Sequence, residues 1–351
     1  MSLFLEKMIL TPSAAPLLMN AEQEQHHADK KYKAVVAAAV EACAEDTKGQ
    51  TCYICTDAVH WKTKEGLVRG CACRGTSGFA HVSCLAEQAK ILMEEAEDNN
   101  LDRKALNERW TRWRACSLCK QRYHGVVQCA LGWACWKTYV GRPEASKPRG
   151  MAMSLLGNGL YATGNYEQAS FVEEAELAMR RRLGESELSM LAVKGNLAAT
   201  YLQLGRLEEA LILRREVYSG RLKLCGEEAS ETFMEANNYA AILRDLQRYA
   251  EAKSLLRKTM PVARRVLGKN DVLILKMRWN FALMLYKEDG ATLDDLREAV
   301  TSLEEVAPAS QRLLGSAHPL VVQVERSLRD SRAALRARET PSGDLDEIED
   351  A

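Results

Sequence analysis

Eight residues with metal-ligating side chains stand in four close pairs: Cys52-x2-Cys55, Cys71-x-Cys73, His81-x2-Cys84 and Cys116-x2-Cys119. A C-x2-C pair brings two thiolates onto one centre from a single tight turn. A distant second pair then completes the four tetrahedral positions that zinc takes from sulfur and imidazole nitrogen. Eight ligands make two sites, and the expected wiring interleaves them. Cys52, Cys55, His81 and Cys84 hold one ion, and Cys71, Cys73, Cys116 and Cys119 hold the other. Such a cross-brace ties together a segment with little hydrophobic core of its own. Disulfides are the competing use of clustered cysteines. The opening MSLFLEKMIL breaks its apolar run with Glu6 and Lys7, a poor secretory segment. Thiols that are not exported stay reduced, so metal is the preferred reading, although a cleaved transit peptide remains an open alternative. The expected location is cytoplasmic or nuclear.

The rest of the chain positions this block. The expected organisation is an N-terminal segment over 1–46, loose and then helical from residue 21, followed by the cysteine-rich finger over 47–124. An apolar, Trp- and Cys-rich connector over 125–150 leads to an α-solenoid over 151–337, and an acidic, disordered tail over 338–351 ends the chain. The gap between Cys84 and Cys116 reads as a charged helix from Leu85 to about Asn99 and a short one near Trp110. Lys+Arg and Asp+Glu both number 48, so global charge gives no reason to expect nucleic acid. No apolar run reaches the ~18 residues of a membrane helix: Val272 to Tyr286 is interrupted by Lys276, Arg278 and Asn280. Arg69, Arg74, Lys120 and Arg122 lie beside the ligands, where they offset thiolate charge or are ordinary solvated charge. His60 and His124 are spare imidazoles, and Cys43, Cys129, Cys135 and Cys225 fit no knuckle and read as small apolar residues. Gly157, Gly159 and Gly164 follow no strand, so they read as turn or helix-packing glycines rather than a nucleotide loop.

The helical half repeats itself. Asn196-Leu-Ala-Ala-Thr-Tyr-Leu-Gln-Leu-Gly-Arg-Leu-Glu-Glu-Ala210 aligns with Asn238-Tyr-Ala-Ala-Ile-Leu-Arg-Asp-Leu-Gln-Arg-Tyr-Ala-Glu-Ala252 at an offset of 42. A third copy starts at Asn280, and an earlier one ends at Ala169. Leu183-Gly184, Cys225-Gly226, Leu267-Gly268 and Leu314-Gly315 punctuate the units. Each is a helix, a tight turn and a second helix, which buries its apolar face only by stacking on the next. This half resembles the tetratricopeptide family, most closely the repeats of kinesin light chains, and the phrase Leu314-Gly315-Ser-Ala-His318-Pro319 fits that subtype's inter-repeat loop. The resemblance implies a groove for a peptide segment of a substrate or scaffold protein. Asn196, Asn238 and Asn280 recur at one phase of the first helices, where the amides could bond an extended backbone or instead bond a neighbouring helix and set repeat geometry.

The run Cys73-Arg-Gly-Thr-Ser-Gly-Phe-Ala-His81-Val-Ser-Cys84-Leu85 and the ligand order resemble the RING-CH (RING variant, C4HC3) finger. A PHD finger shares the order but separates its third and fourth ligands further and places His closer. The RING-CH resemblance implies two structural Zn²⁺ and a ubiquitin-conjugating enzyme (E2) as partner, with no catalytic residue on this chain. By the same resemblance, Ile54 in the first knuckle and Lys120 after the last ligand correspond to the residues that meet E2. Family members carry Trp four residues after the sixth ligand, where this chain has Gln88, and 31 residues separate Cys84 from Cys116. The expected architecture is mainly α: a small two-zinc cross-brace RING-like domain joined to an α-solenoid of tetratricopeptide hairpins. Two functions follow from different classes. One is a soluble E3 ubiquitin ligase whose solenoid recruits substrate; the other is a non-catalytic, zinc-stapled scaffold. A PHD-like reader of histone tails is a third.

Overall fold

The computed structural model describes residues 21–340 except residue 317. The loose start expected over residues 1–20 and the acidic tail beyond residue 340 lie outside the described residues. Fourteen α-helices are present among them, with two isolated antiparallel bridges, Val68 to Ala80 and Ala115 to Arg122. The chain divides into two compact units, one ending at Gly205 and one starting at Arg206.

The first unit contains α1 (Ala21–Ala42), α2 (Ala44–Thr47), α3 (Val82–Asp98), α4 (Arg103–Trp110), α5 (Gly125–Tyr139), α6 (Lys147–Ala162), α7 (Tyr166–Arg182) and α8 (Glu187–Gln203). Helix α1 buries Ala28, Tyr32, Val36 and Ala39, a stripe at spacings of three and four that Cys43 continues just past its end. Two polar contacts fasten its start. Glu24 pairs with Arg149 at 3.4 Å with both side chains buried, and Gln25 Nε2 donates to the Lys137 carbonyl. Arg149 also donates to the carbonyls of Val140 and Arg142, which turn the chain from α5 into α6.

The stretch expected as a connector is helix α5, packed against both α1 and α6. Val127, Leu131, Trp133, Cys135, Trp136 and Tyr139 are all buried, so apolar residues cover its whole circumference. Helix α6 approaches α5 closely. A Cβ at Gly159 would lie 2.9 Å from the Cys129 Cα, so only glycine fits the crossing. The cysteine-rich segment is held to the same helices. Trp110, Trp113 and Tyr139 form an aromatic cluster with centroids 5.7–6.2 Å apart. Arg142 also grips both carboxylate oxygens of Glu97 at 2.7 and 3.0 Å.

The second unit contains α9 (Leu207–Cys225), α10 (Ser230–Asp245), α11 (Tyr249–Leu267), α12 (Val272–Lys287), α13 (Leu293–Leu314) and α14 (Pro319–Glu339). Successive helices pack on one another. Gly226, Gly268 and Gly315 cap α9, α11 and α13, as the repeat punctuation predicts. Thr292 and Asp295 form a reciprocal capping box at the start of α13, and Asp271 and His318 cap α12 and α14. The architecture is mainly α, with helical hairpins of tetratricopeptide kind.

Candidate metal centre

The four pairs come together as two clusters with interleaved wiring. Ligand atoms of Cys52, Cys55, His81 and Cys84 lie within 4.8 Å of one another, and so do those of Cys71, Cys73, Cys116 and Cys119. His81 stands at the N-cap of α3 and Cys84 lies in its first turn, so the H-x2-C pair sits on one helical face. The other ligands sit on turns. In the Cys52 knuckle, Thr56 N donates to Cys52 O at 2.8 Å and Cys52 N to Asp57 O at 3.0 Å; Cys116, Lys120 and Gln121 repeat the pattern. Thr56 and Lys120 take positive φ, 67° and 61°.

The geometry tests whether a metal fits. Metal–sulfur bonds of about 2.3 Å at tetrahedral angles set sulfur atoms about 3.8 Å apart and a sulfur and an imidazole nitrogen about 3.5 Å apart. Cys73 Sγ lies 3.8 Å from Cys116 Sγ, and Cys55 Sγ and Cys84 Sγ lie 3.3 and 3.6 Å from His81 Nδ1. None of the cysteines is disulfide-bonded. The remaining imidazole nitrogen, Nε2, lies 3.4 Å from the Ala58 carbonyl, which fixes the tautomer that leaves Nδ1 free as a ligand. Gly78, at φ 87°, lies against the second cluster, and a Cβ there would be 2.9 Å from Cys73 Sγ. Without a cation, burial pushes the Cys71 and Cys84 thiols up, and neighbouring sulfurs add to the rise. At Cys119 burial acts the same way, but hydrogen bonds from the Gln121 backbone, the Cys73 side chain and the Ala72 backbone outweigh it and bring the thiol down to about 7. A divalent cation reverses this repulsion by holding all the sulfurs as thiolates.

The other marked residues separate. Arg69 is engaged with Asp46, the Gly75 carbonyl and the Phe79 ring. His60 is buried, its Nδ1 accepts from Thr63 N at 3.1 Å, and its ring meets His81 edge-on at 5.3 Å. His124 is exposed at the N-cap of α5. Lys120 is exposed, with Nζ on the Ser117 carbonyl at 2.6 Å. Ile54 lines a groove of about 1020 Å³ beside the first cluster, together with Trp61, Gln88 and Ile91. Trp61 is 67% exposed and Ile91 45%. Sequence reasoning missed Trp61. Its loop is a third turn built like the knuckles, with Lys64 N on His60 O, His60 N on Glu65 O and Lys64 at φ 60°, but Thr63 stands where a cysteine would.

Of the three repeated asparagines, Asn196 on α8 and Asn238 on α10 are half-buried. Asn238 Nδ2 reaches Glu235 at 3.4 Å. Asn280 on α12 is buried. Its Oδ1 accepts from Arg244 at 2.6 Å and its Nδ2 donates to the Asn237 carbonyl at 3.3 Å. That geometry fits the helix-bonding alternative for Asn280.

A tetratricopeptide-repeat family profile matches residues 190–228 and 236–272. The chain carries tetratricopeptide repeats. The matched segments run from within α8 to the start of α12. No curated protein matches the chain. Among solved structures, BtubC (BKLC) from P. vanneervenii is 14% identical, with 74% of this chain and 85% of that chain covered, at a TM-score of 0.46. A Podosopora anserina protein, described as a kinesin light chain with nearly identical TPR-like repeats, is 19% identical. The coverage there is 67% of this chain and 98% of that chain, at a TM-score of 0.44. No described helix is long and apolar enough to cross a membrane.

Proposed function

We propose that the two clusters hold two zinc ions and that residues 47–124 are a RING-CH-type finger. On this reading the finger docks a ubiquitin-charged E2 while the tetratricopeptide helices gather the substrate, in the cytoplasm or nucleus. The supporting observation is the open groove beside the first cluster, where Ile54, Trp61 and Ile91 present apolar surface. Exposed apolar side chains around a concavity mark a protein contact, and Trp61 supplies the large aromatic that Gln88 does not. Zinc when bound fixes the fold, since four protein ligands per ion leave no open position. Ile54 and Trp61 hold E2, and Lys120 offers a cation to E2 or ubiquitin. The thioester stays on E2, and a substrate lysine attacks its carbonyl, forming an isopeptide bond and releasing the E2 cysteine thiol. This chain contributes proximity and orientation. Asn196 in the first unit and Asn238 in the second are each half-buried and each offers an amide to a peptide backbone, whereas Asn280 shapes the repeat.

A second reading, the zinc-stapled scaffold without E2, draws on the Glu97–Arg142 grip and the Trp110, Trp113 and Tyr139 cluster, which set the finger into the helical core. One assay separates the two. Zinc-loaded full-length chain is incubated with ubiquitin, E1 and a panel of E2 enzymes. The ligase reading expects ubiquitin chains that Ile54→Ala and Trp61→Ala abolish while zinc content stays unchanged. No chains with any E2 would leave the scaffold.

A further inference from the structure

Many arginines of the first unit have a carboxylate. Arg69 pairs with Asp46, Arg142 with Glu97, Arg149 with Glu24, Arg180 with Glu176 and Arg182 with Glu144. Arg114 and Arg122 differ: among the described residues neither forms an ion pair or a side-chain hydrogen bond. The last knuckle brings them together. Ala115 and Arg122 form an antiparallel bridge, and Tyr123 N donates to Arg114 O at 3.0 Å. Both side chains line a cavity of about 140 Å³ whose opposite wall is α6, with Met151, Ser154, Leu155 and Asn158. Arg114 also borders a second cavity of about 520 Å³, which runs along α4 past Arg103 and Lys104.

Two like charges at one small cavity repel unless an anion enters between them. Both side chains are exposed, and no carboxylate lines the smaller cavity with them. The polar groups of the wall are already engaged. The Ser154 hydroxyl goes to Glu176, the Asn158 amide to the Ser154 carbonyl and the Gln128 amide to the Asn158 carbonyl. Recognition here therefore rests on the two guanidiniums.

We propose that Arg114 and Arg122 clamp a phosphorylated side chain of a partner peptide at the junction between the finger and the first repeat helix. A phosphate dianion matches two guanidinium forks in charge and in its spread of oxygens; a single carboxylate would leave one positive charge uncompensated. Arg103 and Lys104, which line the second cavity with Glu108, add a net positive charge for acidic flanking residues. A peptide suits the site better than nucleic acid, because Trp110 and Tyr123 are buried and offer no ring for a base to stack on. Met151 and Leu155 provide apolar wall for a side-chain stem. The proposal does not depend on E2 docking.

The competing role is local, with the arginines offsetting the thiolate charge of Cys71, Cys73, Cys116 and Cys119. The test uses the zinc-loaded full chain and fluorescence anisotropy. The probes are a degenerate peptide pool with a fixed central phosphoserine, the same pool with Ser or Glu there, and a single-stranded oligonucleotide. The phosphoserine pool should bind at least about ten-fold more tightly than the Ser pool and more tightly than the Glu pool, with inorganic phosphate competing. Arg114→Gln and Arg122→Gln should each remove that preference with metal content unchanged, and Arg122→Lys should restore part of it. Four outcomes overturn the clamp: no phosphate preference, unaltered binding in both Gln variants, an oligonucleotide that binds as tightly, or metal loss in the variants that accounts for weaker binding.

Discussion

Glu173 is a carboxyl placed where a charge is costly. It lies on α7, is 2% exposed, and its Oε2 has no hydrogen-bond partner. Gly157 on α6 makes room for it, since a Cβ there would lie 3.1 Å from the Glu173 Cγ. Burial pushes the carboxyl up to about 8, repulsion from Glu176 and Glu174 adds to the rise, and the nearby Thr200 hydroxyl lowers it somewhat. The Thr200 hydroxyl already donates to the Asn196 carbonyl, so its oxygen is available to accept from a protonated Glu173. The folded state thus holds a proton that the unfolded chain, near 4.5, gives up. The stability associated with this group is fully present below pH 4.5 and is lost as pH rises to about 8. At pH 7 holding that proton costs about 3 kcal/mol. Glu173→Gln removes the titration, so it should stabilise the first unit by up to about 2 kcal/mol at pH 8 once the imperfectly bonded amide is allowed for. At pH 5 it should give little or no gain. Thermal unfolding of both proteins from pH 5 to pH 8, with hydrogen exchange on α7 and α8, reads the effect. A variant destabilised at pH 8, or one equally stabilised at both pH values, would refute the buried-acid reasoning.

Elemental analysis should find two zinc ions per chain, and Cys71→Ser should empty the second cluster and loosen residues 50–124; one ion or none in the wild type would remove the cross-brace. Asn280→Ala removes the bond that one Arg244 nitrogen donates, while Asp245 keeps the others, and the bond to the Asn237 carbonyl; it should cost about 1–2 kcal/mol. Asn238→Ala, which loses one contact of 3.4 Å, should change stability little. Equal costs in thermal melts would contradict the different roles assigned to the two.

The candidate ligands were legible because metal chemistry imposes short spacings that survive without any structure. The repeats were legible for a similar reason, since each hairpin must present the same small and large residues at the same phase. Helix α5 was not. Apolar residues lie all around it, so the period that marks a half-buried helix is missing and Gly125 to Tyr139 reads as an undifferentiated apolar stretch. Trp61 escaped notice because its turn has the backbone of a knuckle without the cysteine that advertises one. Glu173 reads as any charged residue of an amphipathic helix; its burial, with Gly157 across from it, shows that it points inward. The asparagines show the limit of periodicity. Equal spacing located them, but whether an amide is spent on Arg244 or left half-exposed depends on neighbours far along the chain.

The pairing of α1 with α5 has a consequence for how the chain closes on itself. Helix α1 ends at Ala42 and α5 begins at Gly125, so the whole finger is a long excursion between two helices that must meet. Closing a loop costs about 0.6 kcal/mol for each doubling of its length. Metal ions that bring the two ends of the finger together shorten the free path from about 80 residues to about 20, which eases the meeting of α1 and α5 by roughly 1 kcal/mol. On the two-zinc reading the ions would act at a distance, through chain entropy: without them the chain would search a larger loop before Glu24 meets Arg149.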